Sequence, residues 1–375
     1  MKRLSIRDFS LVLALVAIVA FFTIQSPVYL DPRNLSNLAV EFSIIAVLAL
    51  GVFLILLPGQ TDLSTGSGVG LFGGVAAVLI YNQGWPAPAA MGAAFVGAVA
   101  LWALMGLLIV KQRIPAFIMT LAGMLVFKGL HWATIENSTI PVKVGAQDNL
   151  FSSLTTWYLP PSAGWAVVAV AVAALGWAAL RARARRIAHG LTVEDRDTAF
   201  AGWLIPVQLL ILLVVVLNQF NGVPLPILLL GVTAVAVFIL TRHTPFGRHL
   251  YAIGGNAEAS RISGIPVERT IVIAFALCGV TVAATGFLQT AYAGASTSTI
   301  GQFLELDAIA ACVIGGVSLA GGKGTVGGVL FGALIMTALL NGMTLLAVDP
   351  ELKLIARGLV LALAVWMDVA LSKRR

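Results

Sequence analysis

The chain has 375 residues, of which 59% are hydrophobic and 10% charged, and its formal net charge is +7. Soluble globular chains carry roughly 25% charged residues, so this composition excludes an ordinary soluble domain and calls for a chain that crosses a lipid bilayer many times. The basic residues stand at the ends of apolar runs rather than in a patch interleaved with aromatics, so no nucleic-acid partner is implied.

The N-terminus, MKRLSIRD before an apolar run, has the outline of a signal peptide. The run ends in Gln25–Ser26–Pro27 with no small-residue cleavage site, so it is expected to remain as an uncleaved anchor. Apolar runs cover roughly 9–26, 36–57, 65–82, 88–110, 114–133, 163–180, 203–217, 224–241, 270–293, 303–320, 325–347 and 352–370. Only helices or closed barrels span a bilayer, and runs this long are helices. The expected fold is all-α and polytopic, one transmembrane domain over 1–375 with roughly 10–12 membrane helices. A crossing takes about 20 helical residues, so the third, seventh and tenth runs are expected to be short or broken.

With the N-terminus inside and the twelve runs alternating, inner loops hold 18 of the 23 basic residues, and outer loops hold only Arg33 and Lys143. Lys128, Lys353 and Arg357 fall near span ends, where long side chains snorkel. This asymmetry predicts that both termini are cytoplasmic. Two loops are longer than the rest, an outer one at about 134–162 and an inner one at about 181–202. The inner loop begins RARARR and continues with Glu194–Asp195–Arg196–Asp197; its arginines read either as a topological stop or as contacts to anionic headgroups.

The most polar inner stretch, about 242–269, carries Arg242, Arg248, Arg261 and Arg269 against Glu258 and Glu268. Pro245 with Gly247, Gly254–Gly255–Asn256 and Gly264–Ile265–Pro266 mark turns. Between the last two turns, Ala257 to Ser263, including Ala259, has the length of a two-turn helix. Asn256 suits its N-cap, and Glu258 falls in the first turn, where the helix dipole favours an anion. The stretch reads either as a solvated connector or as a short helix that passes force to something outside the membrane.

No catalytic or metal-binding set is visible. Gly68, Gly70 and Gly73 match G-x-G-x-x-G but lie in an apolar run, where close helix packing explains them better than a dinucleotide. Gly321-Gly322-Lys323-Gly324-Thr325 lacks the Walker A spacing, so the chain is not expected to bind ATP. His131, His189, His243 and His249 show no ligand spacing, and Cys278 and Cys312 lie in apolar segments. The informative polar residues lie in or near apolar surroundings. Asp62 and Ser64, between two spans, read either as a helix cap or as lining for a polar path. Glu305 and Asp307, which open a span, carry the same two readings. Glu41 sits near the start of the second span, and Asn341 in a late span suits a hydrogen bond to a neighbouring helix or to a polar solute.

Taken together, these residues resemble a known family. Tyr251-Ala-Ile-Gly-Gly-Asn-Ala-Glu-Ala-Ser-Arg-Ile-Ser-Gly-Ile265 and Glu305-Leu-Asp-Ala-Ile-Ala-Ala-Cys-Val-Ile-Gly-Gly-Val-Ser-Leu-Ala-Gly-Gly322 resemble permeases of bacterial sugar-importing ABC transporters of the ribose/xylose/galactose type. Glu258-Ala-Ser-x-x-x-Gly264 keeps the spacing of the E-A-A-x-x-x-G coupling loop of importer permeases. Asp62-Leu-Ser-Thr-Gly-Ser67 is similar to that family's I-D-L-S-V-G-S, with Thr61 in place of Ile and Thr65 in place of Val. Thr120-Leu-Ala-Gly-Met-Leu-Val-Phe-Lys-Gly129, Gly222-Val-Pro-Leu-Pro226 and Ala364-Val-Trp-Met-Asp368 resemble the D-xylose subgroup most. The resemblance implies a homodimer in the bacterial inner membrane, cytoplasmic ATPase subunits that bind and hydrolyse the ATP, an extracytoplasmic sugar-binding protein, and a monosaccharide substrate. It implies that Gly255, Asn256, Glu258, Ala259, Arg261 and Gly264 belong to the ATPase-coupling loop. A proton-coupled secondary transporter with Asp62 or Glu305 as relay is the second class of reading, and a membrane-embedded enzyme is the third.

Overall fold

A computed structural model describes residues 6–145, 147–193 and 195–372. Lys2, Arg3, Glu194 and the basic run 373–375, all used in the sequence reading, lie outside the described residues. The helices in chain order are α1 (Ile6–Gln25), α2 (Pro32–Leu56), α3 (Thr65–Tyr81), α4 (Ala87–Gln112), α5 (Ala116–Thr134), α6 (Leu150–Thr156), α7 (Pro161–Ala188) and α8 (Arg196–Leu217). They continue with α9 (Leu225–His243), α10 (Pro245–Gly255), α11 (Ala257–Ile262), α12 (Val267–Ala293), α13 (Leu304–Ile314), α14 (Val326–Leu345) and α15 (Pro350–Ser372). Four two-residue strands, β1 (Ile140–Pro141), β2 (Tyr158–Leu159), β3 (Val223–Pro224) and β4 (Ala295–Ser296), form the antiparallel pairs β1–β4 and β2–β3.

Among the described residues, eight helices are long and apolar enough to cross a membrane, and Leu11–Gln25 and Thr65–Tyr81 are shorter apolar helices. The tenth run holds only the 11-residue α13. Gly316 takes φ +92°, and a side chain at Gly315 would fall on the carbonyl of Gly328 in α14, so the helix stops where two backbones touch. The seventh run errs the other way. It lies within the 22-residue α8, with Pro206 inside, so it is not short. The inner loop predicted at about 181–202 shrinks accordingly, because α7 runs on to Ala188 and α8 begins at Arg196.

The chain packs as two compact units. The first takes in the chain up to Ala39 and Trp157–Leu225. Here α7 and α8 form a hairpin closed by β2–β3, and Gly164 of α7 lies against Val223. The second takes in Val40–Thr156 and the chain from Pro226 on. From Ala46 to Leu56, α2 buries the side chains of Leu48, Leu50, Phe53, Ile55 and Leu56 completely. A helix apolar on every side is stable only inside a shell of other helices.

Around α2, α12 packs on α3 and α4 through small residues. A side chain at Gly68 would meet the Trp102 ring, one at Gly73 would meet Thr290 and Gly286, and one at Gly70 would come within 2.6 Å of the Ile300 carbonyl. The G-x-G-x-x-G run therefore lets backbones approach, as membrane helices do where lipid gives no hydrophobic drive for association.

Candidate functional site

Three polar nodes, two of them buried, occupy the second unit. In the first, Asp62 is fully buried between α2 and α3. Its Oδ1 accepts from the Ser64 backbone N–H at 2.7 Å and from the Ser64 hydroxyl at 2.6 Å, while Oδ2 accepts from the Trp102 indole at 2.8 Å. The cap reading does not describe this arrangement. Ser64, not Asp62, holds the N-cap position of α3 and makes no side-chain cap bond. Asp62 instead fastens the α2–α3 connection to α4, and Thr120 of α5 adds a contact to the Leu63 N–H at 3.3 Å. A carboxylate removed from water is tolerated only with its oxygens satisfied. The indole partner in the middle of an apolar helix carries no signal in the sequence.

The second node joins α2, α12 and α14 and is partly exposed. Glu41 accepts from the Tyr292 hydroxyl at 2.9 Å and from the Asn341 side-chain amide at 3.1 Å. Asn341, placed by sequence against a helix or a solute, thus binds a neighbouring helix. The third node is in α13, where both first-turn acids are buried. Asp307 lies 3.0 Å from Arg357 of α15 as an ion pair without hydrogen-bond alignment. Glu305 does not join it; it stands beside Gly66 at the start of α3.

The stretch 242–269 contains two helices where one was expected. Pro245 and Gly247, read as a turn, open α10: Thr244 is its N-cap, accepting from the Gly247 N–H at 3.4 Å, and Pro245 sits in the first turn. Thr-Pro ahead of apolar Leu250 and Ile253 was the available signal. The second helix, α11, follows the expected course. Asn256 Oδ1 accepts from the Ala259 N–H at 2.9 Å, and Gly264 takes φ +80° just past the helix end. Arg261 forks between Glu258 at 3.1 Å and Glu268 at 2.7 Å, which ties α11 to the start of α12. Hydrogen bonding to Glu268 raises the already high pKa of Arg261, so it is a permanent cation. Gly255, Asn256, Glu258, Ala259, Arg261, Ile262 and Gly264 are all exposed, Ile262 to 81%. Behind them the Gly322 N–H bonds the Leu57 carbonyl at 2.9 Å and the Tyr251 hydroxyl bonds the Gly324 carbonyl at 2.8 Å. The preceding helix α10 is thus backed by the end of α2 and the glycine loop after α13.

A bundle of apolar helices with broken segments, buried polar nodes and a capped, exposed helix on a polar loop is the build of a multi-pass membrane permease. Comparison with known proteins agrees. Residues 34–365 match the family described as "Branched-chain amino acid transport system / permease component", and the chain belongs to that family. The xylose transport system permease protein XylH of Escherichia coli is 40% identical over all of this chain and 94% of the relative. XylH of Haemophilus influenzae is 37% identical over all of this chain and 99% of the relative. The ribose import permease protein RbsC of Escherichia coli is 32% identical over 95% of this chain and 92% of the relative. No solved structure matches the chain. The chain is an ABC importer permease of the bacterial inner membrane, and its relatives are transport proteins rather than enzymes.

Proposed function

We propose that the chain forms the membrane path of an ATP-driven importer of D-xylose. Two copies line the path, cytoplasmic ATPase subunits bind the ATP and hydrolyse it, and an extracytoplasmic sugar-binding protein delivers the sugar. The observation that carries the sugar is the 40% identity over the whole chain to a xylose permease, against 32% to a ribose permease. The orientation, with both termini and α11 on the cytoplasmic side, rests on the distribution of Lys and Arg.

In this reading α11 is the coupling helix. It is short, capped at both ends, exposed on its outer face and tied by Arg261 to α12, which crosses the bundle. Movement of the ATPase at α11 therefore reaches the packed core through one ion pair and one turn. The test is Gly264→Val, which forces a β-branched residue to positive φ, and Glu258→Lys. Both variants are expected at normal membrane levels, with D-xylose uptake lost and recovery of the ATPase in a pull-down reduced. Normal uptake by both would make α11 a plain connector. Proton-driven uptake by the chain alone in proteoliposomes would replace the importer with a secondary transporter.

A further inference from the structure

A cavity of about 140 Å³ lies between α3, α5 and the loop Thr297–Phe303 that leads into α13, with Ser67, Lys128, His131, Gln302 and Glu305 as its polar lining. Two observations separate it from a packing gap. Lys128 sits inside α5, its ammonium 5.3 Å from the Trp132 ring centroid, and among the described residues no carboxylate lies within ion-pair distance of it. Near a span end a lysine holds its ammonium in polar surroundings, and at Lys128 the cavity supplies them. The facing wall also holds a sparsely populated backbone conformation at Phe303, φ +64°, beside Gly301 at φ +78°, which glycine adopts freely. A backbone like that of Phe303 persists only where its surroundings force it. A side chain at Gly301 would fall on the Gly66 carbonyl, and the Trp132 indole donates to the Ser298 carbonyl at 3.1 Å, so the loop is clamped on α3 and α5.

We propose that this cavity is a monosaccharide subsite of the permease, an assignment that rests on the sugar-importer reading. Lys128 and Gln302 supply donors, Glu305 and Ser67 supply acceptors, and Ile300 and Phe303 supply an apolar wall for the C–H face of a sugar ring. A cation and a carboxylate on one cavity serve neighbouring hydroxyls of a neutral polyol. Pockets that engulf drug-sized ligands are about 300–1,000 Å³, so a cavity of about 140 Å³ suits a much smaller ligand, of the size of a pentose.

The test is saturation-transfer NMR from the full-length permease in lipid nanodiscs to D-xylose. The wild type is expected to transfer saturation, and Lys128→Met and Glu305→Gln to bind about tenfold more weakly, the loss expected for a hydrogen bond to a charged group. Ser67→Ala, the mildest change, and Lys128→Arg, which keeps the charge, serve in case the first two fail to fold. Ser67→Ala is expected to weaken the signal and Lys128→Arg to retain part of it, both at the wild-type melting temperature. No transfer from the wild type, equal transfer from every variant, or losses that follow only a lowered melting temperature would overturn the subsite. ATP-driven D-xylose uptake by the wild-type complex, assayed separately, reports on the importer reading, so the two failures are told apart.

Discussion

The Trp102 indole donates to Oδ2 of Asp62 at 2.8 Å, and both side chains are fully buried. One hydrogen bond thus holds the α2–α3 connection to the middle of α4, at the place where Gly68 lets α3 lie on the same ring. Trp102→Phe keeps most of the ring and removes the donor. A buried acceptor left unsatisfied costs about 1–3 kcal/mol, and more when charged. The expected result is a lower melting temperature for the purified permease in a thermal-shift assay. An unchanged melting temperature would show that the bond holds nothing.

Gly254 and Gly255 are neighbours with opposite surroundings. A side chain at Gly254 would fall on the Leu57 carbonyl and the Gly322 amide, whereas nothing lies within 4 Å of one at Gly255. Gly254→Ala is expected to push α10 off the end of α2 and abolish ATP-driven uptake. Gly255→Ala is expected to keep the wild-type melting temperature in a thermal-shift assay, since nothing in this chain obstructs it, and Gly254→Ala to lower it. Equal melting temperatures for the two variants would contradict this packing.

Asp307 is 2% exposed and Arg357 is its ionic partner. Removing one member of a buried ion pair costs about 3–5 kcal/mol, because the other charge is left uncompensated. Arg357→Met alone is expected to lower the thermal stability sharply, and the double variant Arg357→Met/Asp307→Leu to recover most of it. A double variant no better than the single one would mean that α13 and α15 do not meet through this pair.

Lys143, in the loop before α6, pairs with Asp148 at 2.5 Å, and that hydrogen bond holds the Asp148 carboxyl below the usual carboxylate range. Arg248 lies in α10. The charge distribution puts the two on opposite sides of the membrane. Cysteine substituted for Lys143 is expected to react with an impermeant thiol reagent added to intact cells with the outer barrier opened, and cysteine substituted for Arg248 is not. Equal labelling would reverse or void the orientation.

Much of this chain was legible because its cues are local. The helices α2, α4, α12 and α14 announce themselves as long apolar runs, since a bilayer demands length and hydrophobicity whatever the neighbours are. Asn256 and Gly264 mark the two ends of α11 because capping and positive φ are set within a few residues. The same locality misled at α10, where Pro245 reads as a turn signal and as a first helical residue equally well.

What the amino-acid order alone determined is therefore the class of fold, the run of membrane helices and the short capped helix between polar turns. What only the tertiary structure decided is which polar groups meet. Asp62 finds Trp102 across 40 positions, Glu41 finds Asn341 across 300, and Lys128 comes to share a cavity with Glu305. It also decided that the run 303–320 breaks after 11 helical residues. The physical reason is the same in each case. In an apolar helix every residue reads alike along the chain, and a polar side chain or a glycine takes its role from the backbone packed against it, which comes from a distant part of the sequence.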